Sequence, residues 1–106
     1  RLMDQNLPLK LIMTWDIMPE HEQEYFEFVI REYIPGIQRL GCDLSDAWAT
    51  VYGRQPQITV GAVLPNEKKV RQLLLSEEWI KLTNHLQDFI QNYNLKVVYA
   101  KNSFQI

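Results

Sequence analysis

Of the side chains that most often move protons or hold metals near neutral pH, this chain has two histidines and one cysteine. His21 lies close in sequence to Asp16 and opens a helical pattern that carries Tyr33. Those three are the candidate acid–base groups for steering a proton, although the positive end of a helix disfavours a protonated imidazole at His21. His85 shares a helix face with Glu78, Lys81, Asp88 and Asn92, the composition of a solvated strip. It sits about 240° around that helix from Trp79, so the two have no common face. Cys42 follows a helix stop at Gly41 with no histidine near it in sequence, and reads as a small half-buried residue. These positions make no metal-ligand spacing, and neither metal nor cofactor is expected. A second kind of chemistry is binding. Trp15, Tyr25, Trp48 and Tyr52, with Tyr99, are large rings with polar handles that would suit the walls of an apolar pocket, and that would equally suit plain core and dimer packing.

The elements that must position these residues follow from periodicity. From Leu9 to Ile17 every odd position is apolar, the pattern of a strand. Pro19 followed by Glu20, Glu22 and Glu24 starts a helix, which runs to about Leu40 and stops at Gly41. Pro35 lies inside it, which predicts a kink near Ile34 and a separate last piece. Ala47–Tyr52 and Ile58–Leu64 read as strands joined by the turn Gly53-Arg54-Gln55-Pro56. A second helix in two pieces begins at Asn66, with Ser76 capping the piece that opens Glu77-Glu78-Trp79. Leu95–Lys101 is the last strand.

The order βαββαβ is the ferredoxin-like α+β arrangement, a four-stranded antiparallel sheet with two helices on one face. One domain is expected over residues 9–106, after an N-terminal tail of residues 1–8. The uncovered face would carry Ile12 and Thr14, with Gly61 and Val63 or Val98 and Ala100 beside them. That face is poor in charge for a solvated surface, so a second copy covering it is the simplest expectation. On an ideal first helix, Phe26, Val29, Ile30, Tyr33, Ile37 and Leu40 form the core arc, with Tyr25 and Phe28 widening it on one flank. An arc that wide predicts a contact beyond the sheet, with the partner subunit or a ligand.

Composition removes several classes. A hydrophobic fraction of 46% with 23% charged residues belongs to an ordinary globular domain. A formal charge of -2 with pI near 5.6 is unfavourable for neutralising phosphates, so nucleic acid is not an expected partner. No membrane span or signal pattern is read in the sequence, and a single cysteine cannot form an internal disulfide, which together point to the cytoplasm. The opening at Arg1 in place of a methionine reads as a trimmed or engineered end.

The run from Leu9 to Phe104 resembles the dimeric α+β barrel superfamily, which includes NIPSNAP-type proteins, antibiotic-biosynthesis monooxygenases and haem-degrading monooxygenases. The resemblance rests on LKLIMTWDI, FVIREYIPGIQRLG, LLLSEEWIKLTNHLQDFI and LKVVYA. It implies a homodimer whose two sheets close into a barrel, often with a pocket between helices and sheet. Haem-degrading members carry an asparagine on the first strand, and this strand has none. Three readings of function follow: a dimer that holds a small apolar or aromatic molecule; a cofactor-independent monooxygenase acting on an aromatic or quinol-type substrate; and an interaction module with a filled interior.

Overall fold

The computed structural model describes residues 7–49 and 56–100. Strand β1 (Leu9–Ile17) runs through the middle of the sheet. Its odd row, Leu9, Leu11, Met13 and Trp15, is almost wholly buried, while Lys10, Ile12 and Thr14 between them are half-buried. The strand is therefore covered by helices on one side only. It pairs antiparallel with β3 (Ile58–Leu64) from Leu9 opposite Leu64 to Trp15 opposite Ile58. On its other side it pairs antiparallel with β4 (Ile90–Tyr99), and β2 (Asp43–Ala49) completes the order β2-β3-β1-β4.

Two strands begin earlier than their side chains announce. β2 starts at Asp43 rather than Ala47, because the polar run ahead of Ala47 joins β3 through its backbone, with a bulge between Leu44 and Asp46. Residues 50–52 of the expected strand lie outside the described residues. β4 starts at Ile90 rather than Leu95: Gln91 and Asn94 are poor strand formers, yet they pair with Asp16 and Thr14.

The first helical region departs furthest from expectation, although its interruption ahead of Pro35 is where proline chemistry places it. It comprises α1 (Glu22–Phe28), a π-helical turn (Val29–Tyr33) and α2 (Ile34–Arg39), which carries Pro35 near its start. The Ile34 amide donates to the Val29 carbonyl, five residues back, so the turn is widened by a residue just before the proline. Widening moves Tyr33 under Phe28. The buried face is consequently Tyr25, Phe28, Tyr33 and Ile37, whereas Phe26 and Ile30 of the expected core arc are 47% and 68% exposed. An unbroken α-helix would have set Phe26, Ile30, Tyr33 and Ile37 within about 60° of one another.

The helix ends are built from specific bonds. At the end of α2, Cys42 N donates to Ile37 O at 3.1 Å and Gly41 N to Gln38 O at 3.0 Å, the paired bonds of a Schellman stop, with Gly41 at φ 104°. Between α3 (Glu67–Leu75) and α4 (Glu77–Leu86), Ser76 Oγ accepts from Trp79 N at 3.2 Å and donates to Leu73 O at 2.8 Å, closing one helix and opening the next. Trp79, Leu82 and Leu86 turn inward from α4, and Leu82 lies against Gly36 of α2. No helix among the described residues is long and apolar enough to cross a membrane.

Two glycines give separable tests by chemical denaturation. A Cβ at Gly41 would meet nothing within 4 Å, so Gly41→Ala is expected to cost about 1–2 kcal/mol from the left-handed backbone alone. A Cβ at Gly36 would come within 2.6 Å of Leu82 Cδ1, the end of a side chain that can turn aside, so the overpacking is largely offset by alanine's better helix propensity and Gly36→Ala is expected to cost about 0–1 kcal/mol. Pairing Gly36→Ala with Leu82→Ala should recover part of the overpacking loss, since the clash is removed; Leu82→Ala should not relieve Gly41→Ala.

Candidate functional site

At the end of β1 the chain must place Trp15 under the helices and Asp16 on the opposite side of the strand, because successive residues alternate. A register shift against β4 between Thr14 and Asp16 accommodates both, with Asn92 of β4 at φ 60°. Asp16 is 2% exposed, and its carboxylate is held from the residue ahead of β3 and from β4: Oδ1 accepts from Gln57 N at 2.8 Å and Oδ2 from Asn92 Nδ2 at 2.9 Å. Gln57 Oε1 in turn accepts from Ile17 N at 2.7 Å. The buried charge thereby pins the start of β3 and the irregular part of β4 to the end of β1.

Trp15 is the hub of an aromatic cluster between β1, β4 and the first helical region. Its Nε1 donates to the Tyr25 hydroxyl at 2.9 Å. Its ring meets Tyr33 edge-on at 6.0 Å and stacks on Tyr93 at 6.1 Å. The Tyr33 hydroxyl donates to Met13 Sδ at 3.3 Å. From Tyr33 the cluster continues through Phe28, 6.2 Å away, to His85 and Phe89, whose rings lie 4.1 and 5.7 Å from Phe28. His85 is exposed, as a solvated face of α4 implies, but its ring is also a lid on Phe28.

Burial sets the chemistry of these hydroxyls. It raises the pKa of Tyr25, against a smaller lowering by the Trp15 hydrogen bond. It raises Tyr33 well above the ordinary phenol value, with Tyr93, Cys42 and Tyr25 adding to the rise, and pushes Tyr93 to about 12. All three are neutral phenols at physiological pH and act as hydrogen-bond groups. The Tyr93 hydroxyl oxygen is buried and has no hydrogen-bond partner among the described residues.

The candidate acid–base residues occupy three separate environments. Asp16 is in the strand clamp, Tyr33 bonds a thioether, and His21 Nδ1 meets Glu24 Oε1 at 3.0 Å in a solvent-exposed pair. Of the four aromatic ligand candidates, Trp15 and Tyr25 are joined directly. Trp48 is opposite Thr59 in the backbone register, in the row of Thr14 and not that of Trp15, and Tyr52 lies outside the described residues. Tyr99 is at the sheet edge and 47% exposed. Tyr93 belongs to the cluster and had no place in the expected strand beginning at Leu95; the alternation Tyr93, Leu95, Val97, Tyr99 is the signal that would have found it. Cys42 is buried, with its thiol pushed up to about 11 by burial, and no group of three metal-ligating side chains occurs among the described residues.

The shape of the domain is found among solved structures. A conserved protein from Methanosarcina mazei Go1 superposes with a TM-score of 0.71 at 14% identity, over 95% of this chain and all of its own. A NIPSNAP family protein from Agrobacterium tumefaciens C58 gives 0.68 at 16%, covering 92% of this chain and 90% of the other. An ethyl tert-butyl ether D (EthD) family protein from Bacillus halodurans C-125 gives 0.70 at 15%, covering 90% and 100%. The fold, a four-stranded antiparallel sheet with helices on one face, is shared with these proteins. No family model and no curated protein matches the sequence. Within this α+β fold, the Trp15 cluster lies between the helices and the sheet.

Removing the Tyr25 hydroxyl leaves the buried Trp15 N–H without its partner, so Tyr25→Phe is expected to cost about 1–3 kcal/mol in urea unfolding. The buried phenols also predict an alkaline limit. In the unfolded chain a tyrosine ionises near 10, whereas folded Tyr93 resists ionisation to about 12. Stability from this group is complete below pH 10 and is lost as the pH rises through 12. Urea midpoints measured from pH 8 to 11.5 should fall above pH 10, and less steeply in Tyr93→Phe.

Proposed function

We propose that the protein works as a homodimer closed through the uncovered sheet face, and that the Trp15 cluster holds a small apolar or aromatic molecule carrying one hydrogen-bonding group. The observation that carries the ligand reading is the Tyr93 hydroxyl, buried beside the stacked Trp15 ring without a partner among the described residues. An unpaired buried hydroxyl costs about 1–3 kcal/mol, and a ligand oxygen or nitrogen would recover it. Neutral phenols among apolar rings suit recognition of a flat molecule by stacking and one directional bond. On the other side of the sheet, Ile12 is opposite Gly61 on β3 and Lys96 on β4, and Lys10 is opposite both Val63 and Val98, so the face is more charged than its strand patterns suggest and a partner there would meet apolar surface edged by two lysines. A shallow depression of ≈ 320 Å³ opens there beside Ile12, Val98 and Ala100. A lone buried thiol at Cys42 suits a reducing cytoplasm.

The interaction-module reading has its own support, since Trp15 and Tyr33 are 1% and 0% exposed and leave the helix–sheet layer densely filled around them. Thermal melting against a panel of quinols and polycyclic aromatics separates the two. Ligand binding predicts a rise in Tm for at least one compound that is smaller in Tyr93→Phe. A flat response across the panel would favour the module. Light scattering should give at least twice the chain mass, and Ile12→Asp on the sheet face should lower it.

A further inference from the structure

The π turn that brings Tyr25 and Phe28 into the core turns Phe26 and Ile30 out to solvent, where they form an apolar ridge on the side of α1 away from the core. This ridge borders an open depression of ≈ 390 Å³ lined by Gln23, Phe26, Glu27, Ile30 and Arg31. The other large apolar side chains exposed on the helices are Leu75 and Ile80, which lie on α3 and α4. Ile30 and Phe26 differ in being adjacent, one turn apart, and in the charges beside them. Glu27 and Arg31 lie along one flank at i and i+4, and neither has an ion-pair partner among the described residues.

That distribution is self-complementary. If two copies of this helix lie antiparallel about a two-fold axis, Glu27 of each falls opposite Arg31 of the other along one flank of the contact, and the Phe26–Ile30 ridges meet beside the two charge pairs. A parallel two-fold arrangement would carry the charged flanks to opposite sides of the contact, where they form no reciprocal pairs. We infer that the outer face of α1 and the π turn is a second self-association surface, which pairs with the same face of another copy through Phe26 and Ile30 at the centre and reciprocal Glu27–Arg31 pairs at the rim. Such an isologous contact uses one patch on both partners. It buries apolar area at the centre, and the rim charges select the orientation rather than supply most of the affinity. The helices cover one side of the sheet, so this surface and the uncovered sheet face can be occupied together, and sheet-paired dimers would associate into tetramers or longer assemblies.

Sedimentation velocity over a range of protein concentrations tests the inference, with circular dichroism confirming that each variant is folded. The wild-type chain is expected to populate species of four or more chains. Ile30→Asp and Glu27→Arg should each reduce these to two chains, and the double reversal Glu27→Arg with Arg31→Glu should restore the larger species. Larger species unaffected by Ile30→Asp, or charge reversal without rescue, would overturn the antiparallel pairing. A wild-type dimer insensitive to Ile30→Asp would overturn the α1 surface and leave the sheet dimer standing. A dimer that Ile30→Asp splits to monomers while Ile12→Asp does not would keep the α1 surface and remove the sheet reading. If the protein never exceeds a dimer but binds phosphatidylcholine vesicles through Ile30, the face is a lipid surface and self-pairing is wrong.

Discussion

The bond from the Ile34 amide to the Val29 carbonyl decides what the first helical region shows to the rest of the molecule. Proline at position 35 has no amide to give and its ring crowds the preceding turn, so the backbone ahead of it must depart from regular α geometry. A single widened turn is the form that departure takes. Everything N-terminal to the turn is rotated relative to everything after it, and that rotation selects Tyr25 over Phe26 as the residue that meets Trp15. The aromatic cluster and the exposed apolar ridge are thus two results of one backbone adjustment.

Legibility in the sequence follows the same divide. β1 and β3 were readable to the residue because their burial alternates or runs continuously, and a strand buried by its neighbours advertises itself. The Gly41 stop and the Ser76 cap were readable because their side-chain or backbone chemistry is local. The early parts of β2 and β4 were not, since Asp43, Gln91 and Asn94 enter the sheet through backbone bonds that carry no trace in side-chain type. The core face of α1 was misread for a different reason. Helical periodicity assumes a constant twist, and an inserted residue per turn shifts the phase without changing the apolar count. Trp15 and Tyr25 could be named as candidates from their types, but the bond between them depends on that phase.

The end of β1 also shows how polar burial is made tolerable in so small a domain. Asp16 sits beside an apolar cluster with its carboxylate almost sealed from water, a placement that is destabilising unless the lone pairs are met. Backbone and amide donors from the residue ahead of β3 and from β4 meet them, and the register shift in β4 supplies one of these donors by turning Asn92 out of regular strand geometry. Irregular backbone and buried charge therefore support each other. The hydroxyl of Tyr93, on the same stretch of β4, is the group that this arrangement leaves unmet.

The antiparallel pairing of the first and last strands has a consequence for how the domain can sit in a longer polypeptide. Ala100 N donates to Pro8 O at 2.9 Å, so the backbone enters and leaves the fold side by side. Pro8 and Ala100 therefore lie at the same end of the sheet, where β1 begins and its neighbour β4 finishes. A fold with its two ends zipped together can be inserted into a surface loop of a host protein without prising that loop open, and its ends can be joined by a short linker and the chain reopened elsewhere.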